Sequence, residues 1–273
     1  MLNPGRTGQN VKVQQSLGNL PYSNAFSLVG VGNFASTNWS IISQSTLIQT
    51  LPYYNLHSSG STAKTIYVAS ESTNDIVGGT GVQAVILTGL DNNYLTTQEI
   101  KLMNGQTPVA STNNYVFQPE TIVFSYGSLT DAITGDSIPD GNIWTGVGTW
   151  TGGVPQYPLS FISKTSLDPN SRELLYTVPA NKIIIIRGFF ITIEEDLLDS
   201  SDCDIQVAAK LFGFGESQWF KFPIFNIKGQ LKNEFTSYFA LPPKTEIQGR
   251  LRIKNVKAKD ITLELSVEEV DLI

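Results

Sequence analysis

The chain has 273 residues, of which 41% are hydrophobic and 15% charged, and its formal net charge is −6. The negative balance disfavours binding to a nucleic-acid phosphate backbone, which needs an excess of Lys and Arg on one face. Cys203 is the single cysteine, so neither an intramolecular disulfide nor a cysteine-based metal cluster can form. No run of ~18 apolar residues predicts a transmembrane helix.

Charged residues are unevenly distributed along the chain. Residues 1–155 hold 4 of the 18 basic and 8 of the 24 acidic residues, and they are rich in Ser, Thr, Asn, Gln and Gly. Surfaces of this kind are suited to burial against other protein copies, because no ions need to be desolvated. The alternative is a Ser- and Thr-rich β surface that faces water.

Residues 1–40 are predicted to form an extended N-terminal arm. Gly and Pro interrupt every possible element in this segment, yet it carries large apolar side chains that a disordered tail normally lacks. The arm would dock on a neighbouring subunit or fold on its own domain, and the sequence leaves both open. The candidate interface residues are Leu17, Leu20, Tyr22, Phe26, Phe34 and Trp39.

Residues 41–127 are predicted to form a β domain with a hairpin meander. An apolar run at 82–87 meets a polar corner at 89–93, and a second, partly alternating run covers 94–103. Asn104-Gly105 is the strongest short hairpin signal, because both residues tolerate positive φ. A third strand is expected after Pro108.

Residues 128–160 are predicted to be a Gly- and Pro-rich connector. Trp144 and Trp150 lie inside it, so part of it is expected to pack as an ordered loop or a short hairpin.

Residues 161–273 are predicted to form a jelly-roll-like β-sandwich. The β-branched run 183–193 indicates a central buried strand, and 261–268 alternates with period two. Val270 and Leu272 are out of phase with that alternation, which predicts a β-bulge near Glu268-Glu269. The fold class is therefore all-β, an antiparallel β-sandwich or jelly roll with two β domains and an N-terminal arm.

No residue set has the pattern of a catalytic site. His57, beside Ser58 and Ser59, lacks the carboxylate and the nucleophile motif that a triad requires. The run 194–196 is acidic, but adjacent residues on a strand point to opposite faces, so it does not form a glycosidase pair by itself. We expect a protein that is not an enzyme and has no cofactor.

Asp199, Asp202 and Asp204 are weak candidates for a calcium site, because clustered carboxylates on a loop suit this ion. Their spacing fits no complete loop motif, and a solvated turn is the alternative. Asp131, Asp136 and Asp140 form a similar acidic stretch, with the same two interpretations.

The late part of the chain is rich in aromatic residues, which favour a sandwich core, although sugar-binding domains expose such residues. Arg250, Arg252 and Lys254 share a strand face and form a basic stripe, which faces water or an acidic partner. No phosphate-binding glycine motif is present.

The stretch TIYVASESTNDIVGGTGVQAVILTGLDNNYLTTQEIKLMNGQTPV resembles virion structural proteins of tailed bacteriophages of the marine and cyanobacterial type. The segments YTVPANK and ALPPKTEIQGRLRI are similar to that group too, and the resemblance covers roughly residues 60–273. The matching residues are Thr80-Gly81, Gly89-Leu90-Asp91, Tyr94, Glu99, Leu102, Gly105 and Thr107-Pro108-Val109.

The resemblance implies a capsid decoration (cement) or minor capsid protein that works through subunit contacts, as a homotrimer or another ring, with major capsid or tail proteins as partners. The alternative is a tail- or fibre-associated receptor- or carbohydrate-binding module. A glycosidase ranks third, on the carboxylate pairs alone. Without a secretory signal, the protein is expected to be made in the host cytoplasm and to reside in the virion, with no membrane and no sequence-specific nucleic-acid partner.

Overall fold

The computed structural model describes residues 23–34, 39–43, 45, 47–48, 63–124, 138–165, 171, 173–193, 203–212, 220–221, 225–227, 230–253 and 259–272. The chain divides into two compact units, unit 1 (Met1–Ser40 and Leu174–Ile273) and unit 2 (Ile41–Glu173). Unit 2 is thus inserted in the sequence of unit 1. No helix in the described ranges is long and apolar enough to cross a membrane.

The regular structure of these residues is almost entirely β-strand, as the sequence predicts. The strands are β1 (Ser23–Phe34), β2 (Ser40–Ile41), β3 (Lys64–Ser70), β4 (Ala84–Leu90), β5 (Thr96–Leu102), β6 (Val109–Tyr115), β7 (Phe117–Phe124), β8 (Ile143–Thr151), β9 (Val154–Ile162), β10 (Leu175–Thr177), β11 (Lys182–Ile193), β12 (Cys203–Lys210), β13 (Phe220–Lys221), β14 (Phe225–Ile227), β15 (Gln230–Leu241), β16 (Glu246–Ile253) and β17 (Lys259–Asp271).

Unit 1 contains two antiparallel sheets. Sheet I has the order β1-β17-β11-β15, and sheet II has the order β10-β16-β12-β13, with β14 pairing with a second part of β12. The two-residue strand β2 also pairs with β16. With β2 left out and β13 and β14 counted as one strand position, sheet I holds the first, eighth, third and sixth strands of the unit, and sheet II the second, seventh, fourth and fifth. This is the strand order of an eight-stranded jelly roll, so the predicted all-β antiparallel sandwich is confirmed.

The segment 23–34 is a strand of this jelly roll and not an arm. β1 pairs with β17 over its whole length, from Ser23 opposite Val270 to Phe34 opposite Lys259. The ladder satisfies backbone groups that an isolated extended segment would leave to water. The alternative of a segment folded on its own domain therefore applies to 23–34, while 1–22 lies outside the described residues.

The central strand predicted at 183–193 is confirmed, because β11 pairs with β15 on one side and β17 on the other. The predicted bulge position is wrong. β11 shifts register between Ile186 and Gly188 against both neighbours, whereas β17 pairs with β1 without a shift. Val270 needs no bulge because Glu268 and Val270 are both buried, so the second face of β17 is covered there as well.

Unit 2 is a second sandwich, built from sheet III (β6-β3-β8-β9) and sheet IV (β5-β4-β7). The strands β5 and β6 approach each other on one side, and β7 and β9 on the other. One apolar cluster fills the space between the sheets and takes residues from both. Its buried members are Ile66, Val68, Val82, Val85, Leu87, Met103, Tyr115, Ile143, Leu159 and Ile162.

The described part of the predicted connector belongs to this sandwich. Residues 143–162 form the β8–β9 hairpin, so 41–173 is one compact unit, whereas the sequence predicts boundaries at 127 and 160. The two-residue loop is Gly152-Gly153, with φ of +57° and +83°. Only glycine adopts two such angles readily, and this explains why a glycine-rich stretch is part of a sheet.

Asn104-Gly105 makes a turn but not the predicted hairpin. Gly105 has φ +60°, and Thr107 N donates to Asn104 O at 3.1 Å. The strand before the turn pairs with β4 and the strand after it with β3. The turn therefore moves the chain from sheet IV to sheet III.

Asp75 fastens two loops of unit 2 together from a fully buried position. Its Oδ1 accepts hydrogen bonds from Val82 N (2.8 Å) and Asp140 N (3.0 Å), and its Oδ2 from Ser70 Oγ (2.5 Å) and Gly141 N (2.9 Å). Four donors replace the water that the carboxylate loses, so its burial is tolerated.

Candidate assembly surface

Strand β5 presents aliphatic side chains to solvent. Its residues alternate between exposed and half-buried, and Ile100 and Leu102 on the outer side are 51% and 52% exposed. A period-two pattern with Ile and Leu on one side and Glu and Lys on the other normally places the aliphatic side in the core. In β5 the polar side points inward instead.

Glu99 is the reason for this inversion. Its carboxylate accepts hydrogen bonds from Thr112 N (2.8 Å), Asn113 N (3.1 Å) and Tyr115 Oη (2.9 Å), all on β6. The strands β5 and β6 do not form a ladder, so Glu99 satisfies backbone donors at the edge of sheet III. The inward direction of this side chain turns Ile100 and Leu102 outward.

The protonation states of this seam favour the same arrangement. Burial by itself raises the pKa of Glu99, but the hydrogen bonds from β6 and the nearby Lys101 ammonium hold the pKa below its usual value. Burial also raises the pKa of Tyr115, and its bond to Glu99 adds to the increase. The pair is thus an ionised acceptor and a protonated donor at neutral pH.

Two further contacts fix β5 against β6. Asn113 Nδ2 donates to Thr97 Oγ1 at 3.2 Å, and Lys101 Nζ donates to Thr112 Oγ1 at 3.1 Å. The inward side of β5 is therefore held at three successive alternate positions. Side chains anchored in this way make the outward side a rigid surface.

The outer face of sheet IV extends the aliphatic strip across β4. Ile86 lies opposite Ile100, and Thr88 lies opposite Gln98. Ile122 and Glu120 on β7 hold the next register positions beside Ile86 and Thr88. We call Ile86, Ile100 and Leu102, with Thr88 and Gln98 beside them, the β5 face.

The outer face of sheet III differs because the chain itself covers it. The rings of Trp144 and Phe161 lie 4.5 Å apart between centroids, and Ile48 is buried in the same cluster. Trp144 Nε1 donates to Glu71 Oε1 at 2.7 Å. Exposed aliphatic clusters mark interaction sites more often than covered ones do, so the β5 face is the better candidate surface of unit 2.

The predicted interface residues lie in different environments. Leu17, Leu20 and Tyr22 lie outside the described residues. Phe26 and Phe34 hold positions on β1 opposite Val267 and Lys259. The guanidinium carbon of Arg252 lies 4.8 Å from the ring centroid of Trp39, and this cation–π contact gives Trp39 a role within unit 1.

Asp204 does not have the environment of a metal ligand. It is buried on β12, and its Oδ2 accepts from Arg252 Nε and Nη2, both at 2.9 Å. The charge of this carboxylate is already balanced by a cation. Asp199 and Asp202 are outside the described part of the chain, within which no group of three or more His, Cys, Asp or Glu residues could hold a metal ion.

Most of the other candidate catalytic and metal-binding residues lie outside the described residues. This holds for His57, Ser58, Ser59, Asp131, Asp136 and 194–196. Asp140 is described, and its Oδ2 accepts from Thr80 Oγ1 at 2.8 Å. Arg250 and Arg252 share a strand face as predicted, but Arg250 donates to Gln248 Oε1 and Arg252 to Asp204, so this part of the stripe is engaged within unit 1.

The chain matches no protein-family model, and no curated protein matches it. Solved structures with some likeness include infectious bursal disease virus, Gx strain, at 11% identity over 92% of this chain and 72% of that chain, with a TM-score of 0.24. A turret protein of Sulfolobus turreted icosahedral virus has 9% identity over 90% and 98%, with a TM-score of 0.17. The mosquito-larvicidal Cry4Aa toxin of Bacillus thuringiensis has 9% identity over 95% and 55%, with a TM-score of 0.25. At such TM-scores these likenesses carry no argument for this chain.

Proposed function

We propose that this chain is a non-enzymatic structural protein of a virus particle that acts by binding copies of itself and neighbouring shell proteins. The supporting observation from the structure is the β5 face, where Ile100 and Leu102 are held outward by the Glu99 seam. The virion context is supported by the sequence resemblance to tailed-phage structural proteins. A jelly roll is compatible with this role but does not select it, because the same fold serves lectins and other proteins.

More specifically, we propose a capsid decoration or minor capsid protein that assembles as a trimer. Its partners would be major capsid or tail proteins, its location the virion, and its site of synthesis the host cytoplasm. Mass spectrometry of purified particles from the source of the sequence tests the location. The proposal requires the chain to be among the structural components, and its consistent absence from intact particles overturns it.

The assembly surface is tested by Ile100→Asp in the full chain. A charge at a half-exposed position costs less than about 1 kcal/mol in the free energy of unfolding, but it must be desolvated in an interface. Light scattering after size exclusion is expected to show an oligomer for the unmodified chain and at least a tenfold weaker association for the variant.

Val77→Asp is the matched control, since Val77 is 55% exposed but lies in a loop outside the β5 face. It should leave the association unchanged. An unmodified chain that stays monomeric at high concentration, or equal weakening by both substitutions, would remove the β5 face as the assembly surface.

The second candidate is a receptor- or carbohydrate-binding module of the tail or fibre. It is favoured by an exposed aromatic side chain, since Tyr157 in unit 2 is 39% exposed. Phe212 in unit 1 is 55% exposed, but the ammonium group of Lys244 lies 4.7 Å from its ring centroid and covers one face. Aromatic faces stack on sugar rings and supply much of the buried area in such sites. A glycan array on which the full chain binds nothing eliminates this candidate.

A further inference from the structure

The carboxyl group of Glu173 is buried at the end of unit 2, where the residue is 6% exposed. Its Oε1 accepts hydrogen bonds from Ser43 Oγ (3.2 Å) and Phe161 N (3.1 Å). Its Oε2 is buried as well and has no hydrogen-bond partner in the described part of the chain. Ionisation of a carboxyl group costs free energy when one of its oxygens is buried without a donor, because nothing replaces the hydrogen bonds to water that this oxygen has lost.

The position of Glu173 in the chain gives this group a structural role. Ile41 and Glu173 are the first and last residues of unit 2. The hydrogen bond from Ser43 therefore joins the segment that enters the unit to the segment that leaves it, 130 residues later. The bond from Phe161 N attaches the same carboxyl group to β9.

The bond at Glu173 continues into a short chain of hydrogen bonds along the entering segment. Ser43 Oγ also accepts from Ser45 N at 3.1 Å, and Ser45 Oγ accepts from Ile48 N at 3.4 Å. Ile48 belongs to one buried cluster with Trp144 and Phe161. Hydrogen bonds thus connect Ser43, Ser45 and Ile48 to the carboxyl group of Glu173.

The described groups that donate to Glu173 are a hydroxyl group and a backbone amide, and both are neutral. Burial raises the pKa of Glu173 to about 8, while hydrogen bonds from its own backbone amide, from Ser43 and from Phe161 N act in the opposite direction. Among the described residues, no charged side chain contributes to this shift. The carboxyl group is therefore a neutral acid at pH 7 in the closed structure.

We propose that Glu173 is a protonation-controlled latch, which holds the two ends of unit 2 together as a neutral acid and releases them when its proton passes to solvent. Opening transfers the carboxyl group to water, where its pKa returns to 4.5. Because the folded-state pKa is raised, the stabilisation is complete below pH 4.5 and is lost as the pH rises to about 8. In this window the opening equilibrium constant increases roughly tenfold per pH unit, and above it the constant levels off.

Hydrogen exchange of the full chain, read by mass spectrometry, measures this equilibrium. The exchange rate divided by the intrinsic rate gives the opening constant for peptides that contain residues 43–48 and Phe161. We expect an increase of about 100-fold over two pH units between pH 5.5 and 7.5. Peptides from β17 in unit 1 serve as the internal reference and should show no such slope.

Glu173→Gln keeps the shape of the side chain but removes the proton, so its opening constant should be independent of pH. Ser43→Ala removes one donor and should raise the opening constant at every pH while keeping the slope. Asp140→Asn, at an exposed carboxyl group in the same unit that accepts from Thr80 Oγ1, should keep both. A flat curve for the unmodified chain, or an equal slope in Glu173→Gln, overturns the proposal.

A second measurement decides the matter if Glu173→Gln does not fold. Infrared difference spectroscopy of the unmodified chain should show one protonated, buried carboxyl group at pH 7 that is lost with a midpoint near pH 8. No such carboxyl band at pH 7 would refute the latch. The inference concerns unit 2 alone, so its failure leaves the proposed assembly function untouched.

Discussion

The two units satisfy their buried carboxylates in different ways. In unit 1 the partners are cations on neighbouring strands, as in Asp204 with Arg252, Glu246 with Lys210 and Glu268 with Arg187. In unit 2 Asp75 and Glu173 accept from backbone N–H and hydroxyl groups, and no cation of the described residues pairs with either. Glu99 combines three such donors with a lysine at 3.6 Å.

Local composition accounts for the type of polar anchor that each unit uses. Residues 1–155, which include most of unit 2, hold only 4 of the 18 basic residues, so few cations are available there. Backbone donors are fixed in space by the strands and loops that carry them, whereas Lys and Arg lose side-chain entropy when they are held in one geometry. Unit 2 should therefore depend more on geometry, and unit 1 more on charge balance.

The largest expected effect tests the geometric anchor at Asp75. Asp75→Asn keeps the size of the side chain but replaces one carboxylate oxygen with an amide NH2 group. Each oxygen of Asp75 accepts two hydrogen bonds, for example Oδ2 from Ser70 Oγ and Gly141 N, so the NH2 group would face donors. We expect a loss of about 3 to 5 kcal/mol in the free energy of unfolding, measured by urea titration followed through tryptophan fluorescence.

Asp140→Asn is the control for Asp75, because Asp140 is exposed and its side chain accepts from a single hydroxyl group. It should cost less than about 1 kcal/mol. If both substitutions had equal effects, geometry at Asp75 would not be the source of stability.

The charge balance of unit 1 is tested at Arg187 and Glu268. Glu268 is fully buried, and its Oε1 has no partner in the described residues. Arg187→Met leaves this carboxylate without its cation and should cost about 3 kcal/mol in unfolding free energy. The pair Arg187→Met and Glu268→Leu together should restore most of the loss, because no uncompensated buried charge remains.

A double-mutant cycle in urea gives the coupling energy between these two residues. Additive losses from the single substitutions would mean that the ion pair does not explain the burial of Glu268.

Substitution of Glu99 should give the smallest of the three losses in unfolding free energy. Glu99 uses both types of anchor, since it accepts from backbone and hydroxyl donors and also pairs with a lysine. Glu99→Gln keeps one acceptor oxygen and loses the charge, so we expect a loss of about 1 to 2 kcal/mol at pH 7. Because the pKa of Glu99 is lowered in the folded chain, its stabilisation is present above pH 4.5 and is lost as the pH falls through the folded pKa.

The difference in unfolding free energy between Glu99→Gln and the unmodified chain should thus shrink at acidic pH. Lys101→Met, which removes the ion pair at 3.6 Å, should cost less than about 1 kcal/mol. A difference that stays constant from pH 7 to pH 3 would contradict an ionised Glu99 in the seam.

Much of the fold could be predicted from local pattern. The β-branched run 183–193 and the alternation at 261–268 gave the positions of β11 and β17, and the Gly- and Pro-rich corners gave an antiparallel all-β class. The prediction was weaker where glycine is equally compatible with a hairpin turn and with a linker. Gly152-Gly153 closes a hairpin inside a stretch with the composition of a linker, and the sequence does not distinguish these uses.

The candidate surface could not be predicted in the same way. The alternation in β5 showed that Glu99 and Lys101 share one side and Ile100 and Leu102 the other, but the usual assignment would have buried the aliphatic side. Glu173 gave no signal at all, since a single Glu in a polar stretch is normally solvated.

The strand content, the uneven charge and the period-two faces follow from the sequence alone, because they depend on composition and on neighbours within about ten residues. Tertiary contacts are what make 23–34 complete a jelly roll, turn the aliphatic side of β5 outward and bury Glu173 beside Ser43. These outcomes depend on contacts between segments far apart in the chain, such as 130 residues for Ser43 and Glu173. A strand's pattern defines two faces, but the strand or donor that meets each face determines which of them is buried.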